Sequence, residues 1–204
     1  MAASPDLSCG WYGSLSDVLL LPKAYWLAAM QEHHRHATHR PAGKKQLSAW
    51  DRQFGRLAKE LKQLLQVKPA VGNWTIIFGY DWPRWRVKGP DAILLGTAIF
   101  VVEFVDEEND RVLQIRVEEL AAIAHDLEQY HAGSRHATVV PLLLLGGTTG
   151  LIRREGDVIA LSPDCLADVL VVESELESGP RIDPLQWIAA GNSPHPPSSP
   201  PPGT

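Results

Sequence analysis

Cysteine is nearly missing from this chain of 204 residues: Cys9 and Cys165 stand far apart, without a partner motif. Two such residues build neither a disulfide framework nor a zinc knuckle, and a reducing, cytoplasmic setting is expected. Long apolar runs are missing too. Val139 to Leu145 is among the longest, against the roughly 20 residues a helix needs to span a bilayer. No basic stretch followed by an apolar core opens the chain, so neither a signal peptide nor a membrane partner is expected. There is no excess of positive charge: the formal charge is -5 and the pI about 5.9, where a free-standing DNA-binding module is usually basic. No G-x-S-x-G elbow supports serine hydrolysis, and no G-x-G-x-x-G follows a strand. Gly146-Gly-Thr-Thr-Gly150 runs into Leu-Ile-Arg-Arg, so it is no phosphate loop, and neither an ATP site nor ATPase activity is expected.

What is there is ordinary globular material, with 45% hydrophobic and 21% charged residues, enough to build one core. The seven tryptophans are expected to serve core and rim packing. Charge is uneven. His33 to Lys62 holds eight Lys/Arg against Asp51 and Glu60, whereas Glu103 to Glu128 holds nine acids against Arg111 and Arg116. Arg35, Arg40, Lys44, Lys45, Arg52 and Arg56 could therefore meet nucleic acid phosphates, or simply form a solvated helix face. His33, His34, His36 and His39 make a dense cluster, but Glu32 alone stands beside it as an acid at ligand spacing. It reads as a helix end running into a loop.

Apolar periodicity gives the elements. Leu47, Trp50, Phe54, Leu57, Leu61 and Leu64 make one stripe of a helix from about 48 to 66. Strands are expected at 74–80, 91–95 and 98–105, with Gly96-Thr97 as the hairpin turn between the last two. A second helix is expected at 117–131, a buried strand at 138–145, a short strand pair around 151 and 157–161, and a helix at 163–172. The domain reading is an N-terminal helical and loop extension over 1–46, an α/β domain over 47–192, and a Pro-rich tail over 193–204. The tail has six prolines in twelve residues and should be disordered or polyproline-like.

Asp91 opens one central strand and Glu103 lies near the end of the next, both in apolar surroundings. Burying two carboxylates near each other is costly, and a divalent cation such as Mg²⁺ would offset that cost. Hairpin geometry decides whether they meet. A two-residue turn would pair Leu95 with Ala98 and send the two acids to opposite faces. A three-residue turn would pair Leu95 with Ile99 and set Asp91 opposite Glu103. The alternative is that both are strand-end acids reaching solvent.

Lys88-Gly-Pro-Asp91-Ala-Ile-Leu-Leu-Gly96 followed by Ile99-Phe-Val-Val-Glu103-Phe-Val105 resembles the Pro-Asp and Glu-x-Lys strands of the PD-(D/E)XK nuclease superfamily. Trp11-Tyr-Gly-Ser-Leu15, Gln46-Leu-Ser-Ala-Trp50, Asp126-Leu-Glu-Gln-Tyr-His131, Val140-Pro-Leu-Leu-Leu144 and Ile182-Asp-Pro-Leu-Gln-Trp187 extend the likeness over roughly residues 11 to 190. Together they resemble the nuclease-like N-terminal region of Schlafen group-three-like DNA/RNA helicases. The resemblance implies a restriction-endonuclease-like α/β core: a central mixed sheet in the order helix, three strands, helix, strand, flanked by helices. It implies Asp91 and Glu103 as catalytic and metal residues with Mg²⁺, or Mn²⁺ as its substitute, and nucleic acid as partner. A helicase or ATPase would be a second partner, or a motor domain missing from this chain. Val105 stands at the motif's lysine position and counts against hydrolysis. Glu119 stands where the family tends to carry glutamine. Lys88 and Arg116 are accessory candidates to replace the lysine. The reading is a degenerate nuclease-type domain; the alternative is a catalytically inactive scaffold or regulatory interaction module.

Overall fold

Seven strands form one mixed sheet in the computed structural model, which describes residues 9–82, 84–85, 89–106, 109–176 and 181–191. The strands are β1 (Trp11–Ser14), β2 (Thr75–Phe78), β3 (Ala92–Leu95), β4 (Ile99–Val105), β5 (Val139–Leu145), β6 (Ile152–Glu155) and β7 (Val158–Leu161), in the spatial order β1-β2-β3-β4-β5-β7-β6. The helices are α1 (Leu15–Leu20), α2 (Lys23–Thr38), α3 (Lys44–Val67), α4 (Asp110–Tyr130), α5 (Leu166–Glu175) and α6 (Pro184–Ala190). β1 to β4 run as antiparallel neighbours. β5 lies parallel to β4 and β7 parallel to β5. Parallel neighbours need a long crossover, and α4 supplies it between β4 and β5. The expected sequence of helix, three strands, helix and strand is α3, β2, β3, β4, α4 and β5.

Strand alternation divides the core into two layers. Ile76, Phe78, Leu94, Phe100, Val102 and Leu142 point to one face, under α1, α2, α3 and α5. Ile77, Ile93, Leu95, Val101 and Leu143 point to the other, under α4 and α6. A sheet covered on both faces needs nearly continuous apolar strands, and β2, β3 and β5 are buried throughout. Six of the seven tryptophans are buried, with Trp85 only partly so.

Helix starts differ from the periodic reading. α3 begins at Lys44 rather than near Ser48, after an extended Gly43. α4 begins at Asp110, seven residues before the apolar stripe. The Asn109 side chain accepts from the Arg111 and Val112 amides at 2.9 and 3.4 Å, which satisfies orphan donors of the first turn. That turn is largely exposed, so no hydrophobic pattern announces it. Residues 11–38, read as an extension, contribute an edge strand to this sheet and two helices to its core. Val158–Leu161 and the short strand before it form the expected pair. The helix expected from Pro163 starts as a 3₁₀ turn, Pro163–Cys165, and becomes α5. The tail over 193–204 lies outside the described residues.

The hairpin between β3 and β4 has a three-residue loop, Gly96-Thr97-Ala98, with Leu95 opposite Ile99 and Ala92 opposite Val102. The two-residue turn is therefore corrected. Gly96 is required by close approach, because a Cβ there would fall on the Trp74 indole.

Candidate acidic site and adjoining pocket

The β3–β4 register ends at Ala92–Val102. Asp91 and Glu103 are the next residues on the two chains, with the Asp91 carboxylate bonded toward α3 and Glu103 on the side of the layer under α4. Both are half-buried. By alternation Glu103 shares its side of β4 with Val101 and Val105, which pack in the layer under α4. The Asp91 carboxylate reaches the end of the strand pair. Its Oδ2 accepts from the Phe104 backbone N–H at 2.9 Å and from Gln53 Nε2 at 3.3 Å. Phe104 follows Glu103 in the chain, so Asp91 is held against the backbone that carries the second acid. Gln53 belongs to α3, which ties that helix to the same strand ends.

Two guanidinium groups come to this end of β4. Arg56 Nη1 donates to Asp106 Oδ1, and Arg52 Nη2 lies 3.4 Å from Asp106 Oδ2. Partial burial raises the Asp106 carboxyl, but hydrogen bonds and charge from Arg56, then Arg52, outweigh it and hold the group below its ordinary value. Val105 is 6% exposed and packs in the layer under α4. Arg116 pairs with Glu119 at 2.7 Å on its own helix. Lys88 lies outside the described residues.

The basic front divides into two kinds. Lys23 pairs with Asp51 and Arg35 with Glu32, each at 2.5 Å, while Arg52 and Arg56 face Asp106. Arg40, Lys44 and Lys45 are exposed and carry no ion pair among the described residues. The histidine cluster is a helix end, as expected: α2 closes at Thr38 and His39 takes the left-handed conformation, φ 56°.

Beside Asp91 opens a cavity of about 250 Å³. Its walls include His33 and His34 of α2, Gln46 and Trp50 of α3, Asp81 beyond β2, and Asp91 itself. His33 Nε2 lies 2.8 Å from Asp81 Oδ2. The His34 ring stands edge-on to Trp50 at 78°, centroids 5.8 Å apart. Tyr80, also in the wall, is fixed from behind. Its hydroxyl lies 3.1 Å from His131 Nε2, His131 Nδ1 lies 3.0 Å from Ser134 Oγ, and Trp187 Nε1 donates to that oxygen at 2.9 Å. A neutral imidazole, donating through one nitrogen and accepting through the other, completes this chain. Burial lowers the His131 pKa to about 4 and raises that of Tyr80.

Sequence reading named Asp91, Glu103 and the front cations. It did not place Gln53, Asp106, Tyr80 or the His33–Asp81 pair at a site. One signal was available: Gln46, Trp50 and Gln53 follow at four and three residues, a single stripe of α3 in which two amides flank an indole. The His33–Asp81 contact joins residues 48 apart in the chain and leaves no local mark. Among the described residues, no group of three or more His, Cys, Asp or Glu could hold a metal ion. No helix among the described residues is long and apolar enough to cross a membrane. No family model matches the chain, and no curated protein and no solved structure matches it either.

Proposed function

We propose that this chain is a degenerate PD-(D/E)XK-like domain that binds a divalent cation and nucleic acid, with hydrolysis weakened or lost. The observation that carries the reading is the hairpin register. A three-residue loop pairs Leu95 with Ile99 and Ala92 with Val102, which leaves Asp91 and Glu103 one residue beyond the last pair. This register supports a shared cation, where a two-residue turn would oppose it. The α3-β2-β3-β4-α4-β5 order supports a restriction-endonuclease-like core. Two hard carboxylates suit Mg²⁺, which commonly binds through one or two carboxylates plus waters, and Mn²⁺ would substitute. When bound, such an ion would neutralise charge on a phosphodiester and lower the pKa of its water. Asp91 and Glu103 would hold it. Gln53 and the Phe104 amide fix the Asp91 carboxylate. Arg40, Lys44 and Lys45 would engage backbone phosphates.

Val105 supports the second reading, an inactive scaffold or regulatory module. A buried valine neither donates a hydrogen bond nor carries charge beside the attacking water. Calorimetric titration with Mg²⁺ and Mn²⁺ on wild type and Glu103→Ala separates the two. Binding by wild type that the variant loses is the expected result; heat of binding in neither protein refutes the metal site and leaves the scaffold.

A further inference from the structure

We propose that the cavity beside Asp91 takes one nucleobase of an unpaired strand, which makes single-stranded nucleic acid, or a splayed end, the substrate class. This deepens the reading of Asp91 and Glu103 and rests on it.

Size comes first. About 250 Å³ lies just below the range of roughly 300–1,000 Å³ typical of drug-sized ligands. That accommodates one planar ring system and not a base pair. The surfaces are of the right kind. Trp50 and His34 line the space, and unpaired bases are held by stacking on aromatic rings. The polar wall combines the Asp81 and Asp91 carboxylates with His33, Thr38 and the Gln46 amide. The two carboxylates are the acceptors that an exocyclic amine, on cytosine or adenine, would meet.

Position ties the cavity to Asp91 and to the cations. Asp91 belongs to the cavity wall, and Glu103 does not, so a base seated there leaves an adjoining phosphate near Asp91. The connection from Thr38 to Gln46, both wall residues, carries Arg40, Lys44 and Lys45, the front cations that have no ion pair among the described residues. A strand entering the cavity passes this segment, and its phosphates meet the cations that are not already committed to Glu32, Asp51 or Asp106.

The test uses the whole chain in Mg²⁺ and a short single-stranded oligonucleotide with 2-aminopurine at one end. This fluorescent base carries an exocyclic amine and is quenched when it stacks. Wild type should quench it, and unlabelled strands ending in cytosine or adenine should compete better than those ending in thymine. Ala37→Phe, at an exposed wall position, should abolish the quench and weaken binding roughly ten-fold or more, with calorimetric Mg²⁺ affinity unchanged. Gln46→Ala is the second variant, expected to flatten the base preference. Mg²⁺ binding without a quench, or with one that Ala37→Phe leaves alone, overturns the pocket assignment and spares the acid pair. An Ala37-sensitive quench in a protein that binds no Mg²⁺ sinks the acid pair and supports the pocket.

Discussion

Acid should destabilise this fold through His131 in particular. The ring is 0% exposed, and burial lowers its pKa to about 4 from about 6.5 in an unfolded chain. The folded state therefore binds fewer protons than the unfolded state between these values, and stability rises with pH across that window. Above pH 6.5 both states hold a neutral ring and nothing is lost. As pH falls through 6.5 the unfolded chain gains the proton first, and the loss levels off only below about 4. At pH 4.5 the linkage relation gives a loss of roughly 2–3 kcal/mol from this one residue. With a urea slope of about 1–3 kcal/mol per molar, the midpoint should fall by roughly 1 M between pH 7.5 and 4.5. Carboxylates titrate in the same range, so the comparison is with His131→Gln, which keeps polar partners for Ser134 and Tyr80 but does not ionise. The variant should be less stable at pH 7.5, and the gap should narrow or invert by pH 4.5. Parallel pH profiles for the two proteins would refute the reasoning. So would an NMR titration in which the His131 ring protonates near pH 6.5 in the folded state.

Two further outcomes follow from the site. Val105→Lys places an ammonium where a side chain is 6% exposed, so unfolding stability should drop by roughly 1–3 kcal/mol from overpacking alone, and a nuclease assay on the refolded variant tests the proposed nuclease-type reading. A variant as stable as wild type would mean that this position opens to solvent. Asp106→Asn removes the charge that engages Arg52 and Arg56. Its side chain is 41% exposed, so the stability change should stay within about 1 kcal/mol. Single-strand affinity should rise, and the salt slope should steepen by roughly 0.7 for each arginine released to a phosphate; an unchanged slope would remove these arginines from the nucleic acid surface.

Two central strands, two long helices and the loop choice between them could be read from the chain because each rests on local pattern. β3 and β4 are apolar runs around one glycine turn, and α3 carries a stripe at helical spacing. Counting residues then reduced the acid pair to a choice of loop length, and Gly96 against Trp74 shows the packing that accompanies the longer loop. Other features rest on contacts that no local pattern encodes. β1 is four residues at an edge, recognisable only through its partner β2. The start of α4 is set by an Asn109 cap ahead of any apolar residue. The cavity needs α2, α3 and the chain on both sides of the sheet edge to converge, and its His33–Asp81 pair spans 48 residues. Trp50 read correctly as core, yet it is also a wall of that cavity, because one ring can pack on one side and border a space on the other.

The two acids do not carry equal weight. Asp91 has a structural role of its own, since its carboxylate accepts the Phe104 N–H past the end of β3, where no strand continues to do so, and it anchors Gln53 of α3. A fold with no ligand would still have reason to keep an acceptor there, and asparagine would nearly serve. Glu103 differs. It is the one residue of β4 that is not fully buried, in the run Ile99–Val105, and its neighbours on the same side, Val101 and Val105, pack in the apolar layer under α4. A valine at 103 would continue that layer and remove the desolvation cost of a carboxylate. The bonds to Phe104 and Gln53 mean that any change at Asp91 disturbs the strand end as well as a bound cation. That asymmetry is why Glu103→Ala, rather than any change at Asp91, separates a cation site from a strand end that is merely well capped.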